Sequence, residues 1–108
     1  MDESLSPTQL ASRLLEKRRC EEAIGLYKTV LDQAREAGDD EAVRGIRSQI
    51  ATAYSVKGDE HMRLHQVGDA QESYETAKEI VVQLYGPNSE QCRAIDGHLF
   101  EVFEALSG

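Results

Sequence analysis

The chain has 108 residues, 40% of them hydrophobic and 30% charged, with two prolines, no tryptophan and a formal net charge of −8. That describes one small domain that buries a core of its own, and its two cysteines, Cys20 and Cys92, lack the spacing of a redox or zinc motif, so buried, reduced thiols are expected. Asp2 and Glu3 stand where a secretory signal would be basic, and no apolar run approaches membrane-spanning length; a cytoplasmic location without membrane association is the expectation.

Residues 1–5 read as a flexible N-terminus. Ser6-Pro7-Thr8-Gln9 then opens a helix, with Ser6 placed to cap, Pro7 at the first helical position and Gln9 able to reach back. This first helix is predicted from Pro7 to about Arg18, its stripe being Leu10, Ala11, Leu14 and Leu15. The second carries Ala23, Ile24, Tyr27, Val30, Leu31 and Ala34 at three- and four-residue spacing and stops at Ala37-Gly38, where glycine takes a left-handed cap. Asp39 or Asp40 starts the third, whose face runs through Val43, Ile46, Ile50, Ala53 and Tyr54.

Gly58-Asp59 offers two registers. A turn there leaves a short helix over His61 to Gln66, whereas continuation carries an unusually long third helix to a turn at Gly68-Asp69. Continuation is favoured, because no proline or polar loop interrupts the stretch. The fourth helix holds Ala70, Tyr74, Ala77, Ile80, Val81 and Leu84 and ends at Tyr85-Gly86-Pro87. Asn88 or Ser89 starts the fifth, with Cys92, Ile95, Leu99, Val102, Phe103 and Leu106 as its apolar stripe. No strand signal appears, so the fold class is all-α, with hairpins over 7–38 and 40–86 and a closing helix over 88–106.

Much of the negative charge has a structural reading. Glu21, Glu22, Asp39, Asp40, Glu41, Asp69 and Glu90 lie at predicted helix starts, where a carboxylate meets the positive end of the helix dipole. Lys17, Arg18 and Arg19 lie at a predicted helix end, and no aromatic residues interleave this basic cluster; nucleic-acid binding is disfavoured.

Ala23-Ile-Gly-Leu-Tyr27 returns as Ala70-Gln-Glu-Ser-Tyr74, 47 residues on, and Ile50-Ala51-Thr52-Ala53-Tyr54 lies between. The pattern resembles the tetratricopeptide repeat family, with Ile50, Ala51 and Tyr54 at the Leu, Gly and Tyr places of a first helix and Ala70, Tyr74 and Ala77 at those of a second. Ala23, Tyr27 and Val30 repeat the second-helix places. The run from Ala77 through Tyr85-Gly86-Pro87-Asn88 to Leu99 is similar to the long repeats of kinesin light chains, and Ala34 to Asp39 to those of cell-polarity adaptors. Arg47 stands at the Trp place, Arg35 and Val82 replace the closing proline, and the offset exceeds the usual repeat of about 34 residues.

The resemblance implies antiparallel hairpins, about two repeats with a capping helix and a lengthened third helix, forming an adaptor that takes a peptide or helix of a partner protein. First helices line the concave side in that family, which places Ser12, Glu16, Gln49, Thr52, Val56, Asp59 and Arg63 on the binding face. The Lys and Asn residues with which some relatives clamp a terminal carboxylate are replaced by Thr8, Ser12, Ser48 and Thr52. Two hairpins are fewer than the roughly three usually needed, so an alternative is a self-associating module, a homodimer joined through Leu99, Val102, Phe103 and Leu106.

Catalysis has no candidate residues: there is no phosphate loop, nucleophile elbow or carboxylate cluster, and no cofactor is expected. His61 and His65 have the i, i+4 spacing of a shared metal on a helix, but Met62 replaces the glutamate of the zinc-protease pattern and the reading is of solvated or interface histidines. Tyr27, Tyr54 and Tyr74 are read as core.

Overall fold

A computed structural model describes residues 5–108, and the N-terminal segment expected to be flexible lies outside them apart from Leu5. The protein is all-α, with five helices in the order α1 (Pro7–Glu16), α2 (Cys20–Glu36), α3 (Asp40–Arg63), α4 (Val67–Tyr85) and α5 (Glu90–Ser107). There is no strand among the described residues.

Local chemistry accounts for most boundaries. Ser6 Oγ accepts the Gln9 amide at 3.2 Å while Gln9 Oε1 accepts the Ser6 amide at 2.9 Å, a reciprocal box with Pro7 beside it. Asp39 and Ser89 cap α3 and α5 by accepting the amides of Ala42 and Cys92, each at 3.1 Å. Gly38 and Gly86 have φ of +69° and +94°, ending α2 and α4 where the sequence places glycine terminators. At the far end of α4, Arg44 lies over the Tyr85 ring, 5.4 Å from its centroid, and donates to the Leu84 carbonyl, while Arg47 donates to Gln83.

Two expected boundaries move. α1 stops at Glu16, and the break between α3 and α4 falls at neither Gly58 nor Gly68 but over Leu64–Gln66. Among the described residues Arg18 and His65 are the positive-φ positions that are not glycine, at 64° and 60°. In the first turn Arg19 N donates to Leu14 O at 2.9 Å and Arg18 N to Leu15 O at 3.0 Å. In the second, Gln66 N donates to His61 O at 2.8 Å and His65 N to Met62 O at 3.1 Å. These are paired C-terminal closures that satisfy the last carbonyls without glycine. A side chain in this region costs about 1–2 kcal/mol, so His65→Gly is expected to stabilise the chain by about 1 kcal/mol in urea denaturation.

The turns are 47 residues apart, and the correspondence extends beyond them. Both hairpins place a small buried residue on the first helix (Ala11, Gly58), a polar one next to it (Ser12, Asp59), and on the second helix a buried alanine (Ala23, Ala70) and a buried tyrosine (Tyr27, Tyr74). In both, the tyrosine hydroxyl bonds to the polar residue: Ser12 Oγ at 3.0 Å from Tyr27, and Asp59, which accepts from Tyr74. The small partner of Tyr74 is Gly58: a Cβ there would lie 2.6 Å from the tyrosine ring. Relative to α1, the extra length of α3 lies wholly at its N-terminal end.

Successive helices run antiparallel. Lys57 near the end of α3 reaches Glu21 at the start of α2, Ser48 near the start of α3 meets Tyr85 at the end of α4 at 3.0 Å, and Lys78 of α4 pairs with Asp96 of α5 at 2.7 Å. Two apolar clusters result, one around Ile24, Tyr27 and Ile50 and the other around Tyr74, Val81, Cys92 and Val102. Tyr54 and Ile80 pack against both and join them. The Cα envelope measures 47 × 32 × 18 Å, a slab about two helices deep. Among the described residues no helix is long and apolar enough to cross a membrane.

Candidate functional site: a groove along the first, third and fifth helices

One face of the slab is hollowed twice. Between α1 and α3 lies a hollow of about 470 Å³ whose banks are Ser12, Glu16, Gln49 and Thr52 and whose apolar parts are Leu15 and Val56. Tyr27 of α2 lines it too, held by its bond to Ser12, and Arg18 stands in the lining at the turn. Between α3 and α5 lies a second hollow of about 280 Å³, lined by Ser48, Thr52 and Ser55 on one side, Gln91 and His98 on the other, with Val81 and Ile95 below. Thr52 belongs to both linings, so the two hollows adjoin at this residue of α3.

Five of the seven residues expected on the binding face, Ser12, Glu16, Gln49, Thr52 and Val56, are brought together in the first hollow. The other two are not. Asp59 accepts the Tyr74 hydroxyl and lies 3.9 Å from His98 Nδ1, so its carboxylate serves the contact with α4 and α5. Arg63 is the last residue of α3 and pairs with Glu60, whose carboxylate it holds below the ordinary value.

His98 closes the second hollow by stacking on Tyr74, centroids 5.0 Å apart and planes 5° from parallel, with Glu101 3.8 Å from its Nδ1. Burial first, and then the bond to Asp59, push the Tyr74 hydroxyl well above its ordinary value. Burial likewise raises the Cys20 thiol, against the opposing charge of Arg18. Lys57 is raised by its hydrogen bond to Glu21, which is correspondingly lowered, and its ammonium lies 5.8 Å from the centroid of the Tyr54 ring.

The residues expected to support self-association divide. Val102 is 1% exposed and packed in the cluster with α4, so it is unavailable to a second copy, whereas Leu99 is only partly buried against that cluster. Phe103 and Leu106 are exposed. Phe100, 60% exposed, joins them although it falls off the apolar stripe read from sequence. His61 and His65 do not share a helix face: His61 Nδ1 lies 2.7 Å from Gln66, and His65 is in the turn. Among the described residues no three His, Cys, Asp or Glu side chains form a group able to hold a metal.

No family model, no curated protein and no solved structure matches this chain.

Proposed function

We propose that the chain is a non-catalytic interaction module, of the tetratricopeptide-like kind that its repeated Ala-Tyr pattern resembles, and that it holds a segment of a partner protein in the groove along α1, α3 and α5. The observation that carries this reading is the pair of adjoining hollows that meet at Thr52 on α3. The lining suits a polypeptide. Hydroxyls and amides of Ser12, Gln49, Thr52 and Ser55 bond to backbone groups, while Leu15, Val56 and Ile95 offer apolar seats for its side chains. The module acts by holding partners together.

Thr52 is exposed and lines both hollows, so an arginine there leaves the core intact and crowds the groove where they adjoin. Thr52→Arg is expected to lower partner recovery in affinity purification about tenfold or more, with an unaltered melting temperature. Equal recovery by the variant sinks the groove assignment.

A further inference from the structure

We propose that the outer cleft between α4 and α5 is a second docking site, and that it takes an amphipathic helix of a partner protein with basic residues flanking its apolar stripe. Among the described residues α2, α3 and α4 each pack extensively on two neighbours, whereas the terminal helices do so on one, α1 on α2 and α5 on α4. On the uncovered side of α5, Val82 of α4 and Leu99 of α5 face a hollow of about 470 Å³. One turn beyond Leu99, Phe103 extends the apolar strip, and Phe100 and Glu104 border a further hollow with it. Phe100 and Phe103 are 60% and 66% exposed, large aromatic surfaces that a partner would desolvate. Residues one turn apart on both banks make parallel ridges, the surface into which the side chains of a third helix interlock.

Charge selects the occupant. Glu75 and Glu79 stand on the α4 bank and Glu104 on the α5 bank, and Lys78, the cation lining the cleft, is already paired with Asp96 at 2.7 Å. In a chain of net charge −8, such an acid-rimmed apolar cleft favours lysine or arginine on either flank of the incoming stripe. A second copy is the poorer occupant, because the same face on it carries Glu75, Glu79 and Glu104 where the acidic rim calls for cations. The residues lining this cleft are separate from those of the concave groove, so the inference stands apart from the function proposed above.

The test titrates the full chain into a fluorescein-labelled designed helical peptide with a leucine stripe flanked by lysines, and into its counterpart flanked by glutamates. Saturable binding of the lysine peptide is expected, at least about tenfold tighter than the glutamate peptide. Phe100→Ser with Phe103→Ser should weaken it about tenfold; Glu75→Lys, Glu79→Lys and Glu104→Lys together should reverse the preference; Thr52→Arg should leave it unchanged. No saturable binding, equal affinity for both peptides, or indifference to the phenylalanine substitutions overturns the proposal. So does sedimentation showing that the chain alone forms a dimer that the same phenylalanine substitutions abolish, which assigns the face to a second copy.

Discussion

Gly58→Leu will unfold much of the protein or cost it about 3 kcal/mol or more in urea denaturation, the upper range for overpacking a filled core. A Cβ at this position meets Tyr74 Cε1 at 2.6 Å and Cδ1 and Cζ at 2.8 Å. The ring cannot withdraw easily, since its hydroxyl bonds to Asp59 and its face is stacked on His98. Gly58→Ala meets the same ring but recovers about 1 kcal/mol of helix propensity, so its loss is smaller. Gly25 and Gly45 supply the control: both are inside helices and a Cβ meets nothing within 4 Å, so alanine there should stabilise by about 0.5–1 kcal/mol. One substitution type thus changes sign with position. Equal gains at all three sites would show that Gly58 does not seat Tyr74.

Tyr74→Ala is the second large effect, about 3–5 kcal/mol, because the ring is 2% exposed and its removal leaves a cavity between α3, α4 and α5. For a domain of this length, whose total stability is about 5–15 kcal/mol, that is a major fraction. Tyr74→Phe keeps the ring and loses a bond to a charged acceptor, about 1.5–3 kcal/mol. It should also change the alkaline limb. The folded hydroxyl titrates above its ordinary value of 10.0, so its contribution is fully present below pH 10 and falls as the pH rises further, where the unfolded chain ionises first. Stability measured from pH 9 to 11 should therefore fall less in Tyr74→Phe than in the native chain; identical slopes would contradict the raised titration.

The fold class and the ends marked by proline, capping serine or glycine were legible because each rests on chemistry within a few neighbouring residues. The break at Leu64–Gln66 was not, since Arg18 and His65 are not residues that advertise a left-handed conformation, and the closures around them use backbone groups. Continuation of the helix through Gly58 was legible, but the reason a glycine stands there was not. Its role is steric, set by a ring from the next helix, and no local pattern carries that distance. The groove was legible as far as Val56 because helical spacing keeps Gln49, Thr52 and Val56 on one face of α3. Spacing alone does not reveal that Asp59, on the same stripe, is claimed by Tyr74 and His98. Phe100 lay off the stripe, and only the uncovered side of α5 gives it meaning.

The 24 residues of α3 span about 36 Å at the helical rise of 1.5 Å per residue. Toward one end, Arg44, Arg47 and Ser48 hold the last turn of α4; toward the other, Lys57 holds the first turn of α2. Linear arrays melt unit by unit when adjoining repeats touch only across their shared boundary. Here a single rod belongs to both halves along its whole length, so neither hairpin can open without stripping contacts from the other. Helix α3 thereby joins the two halves into one cooperative unit.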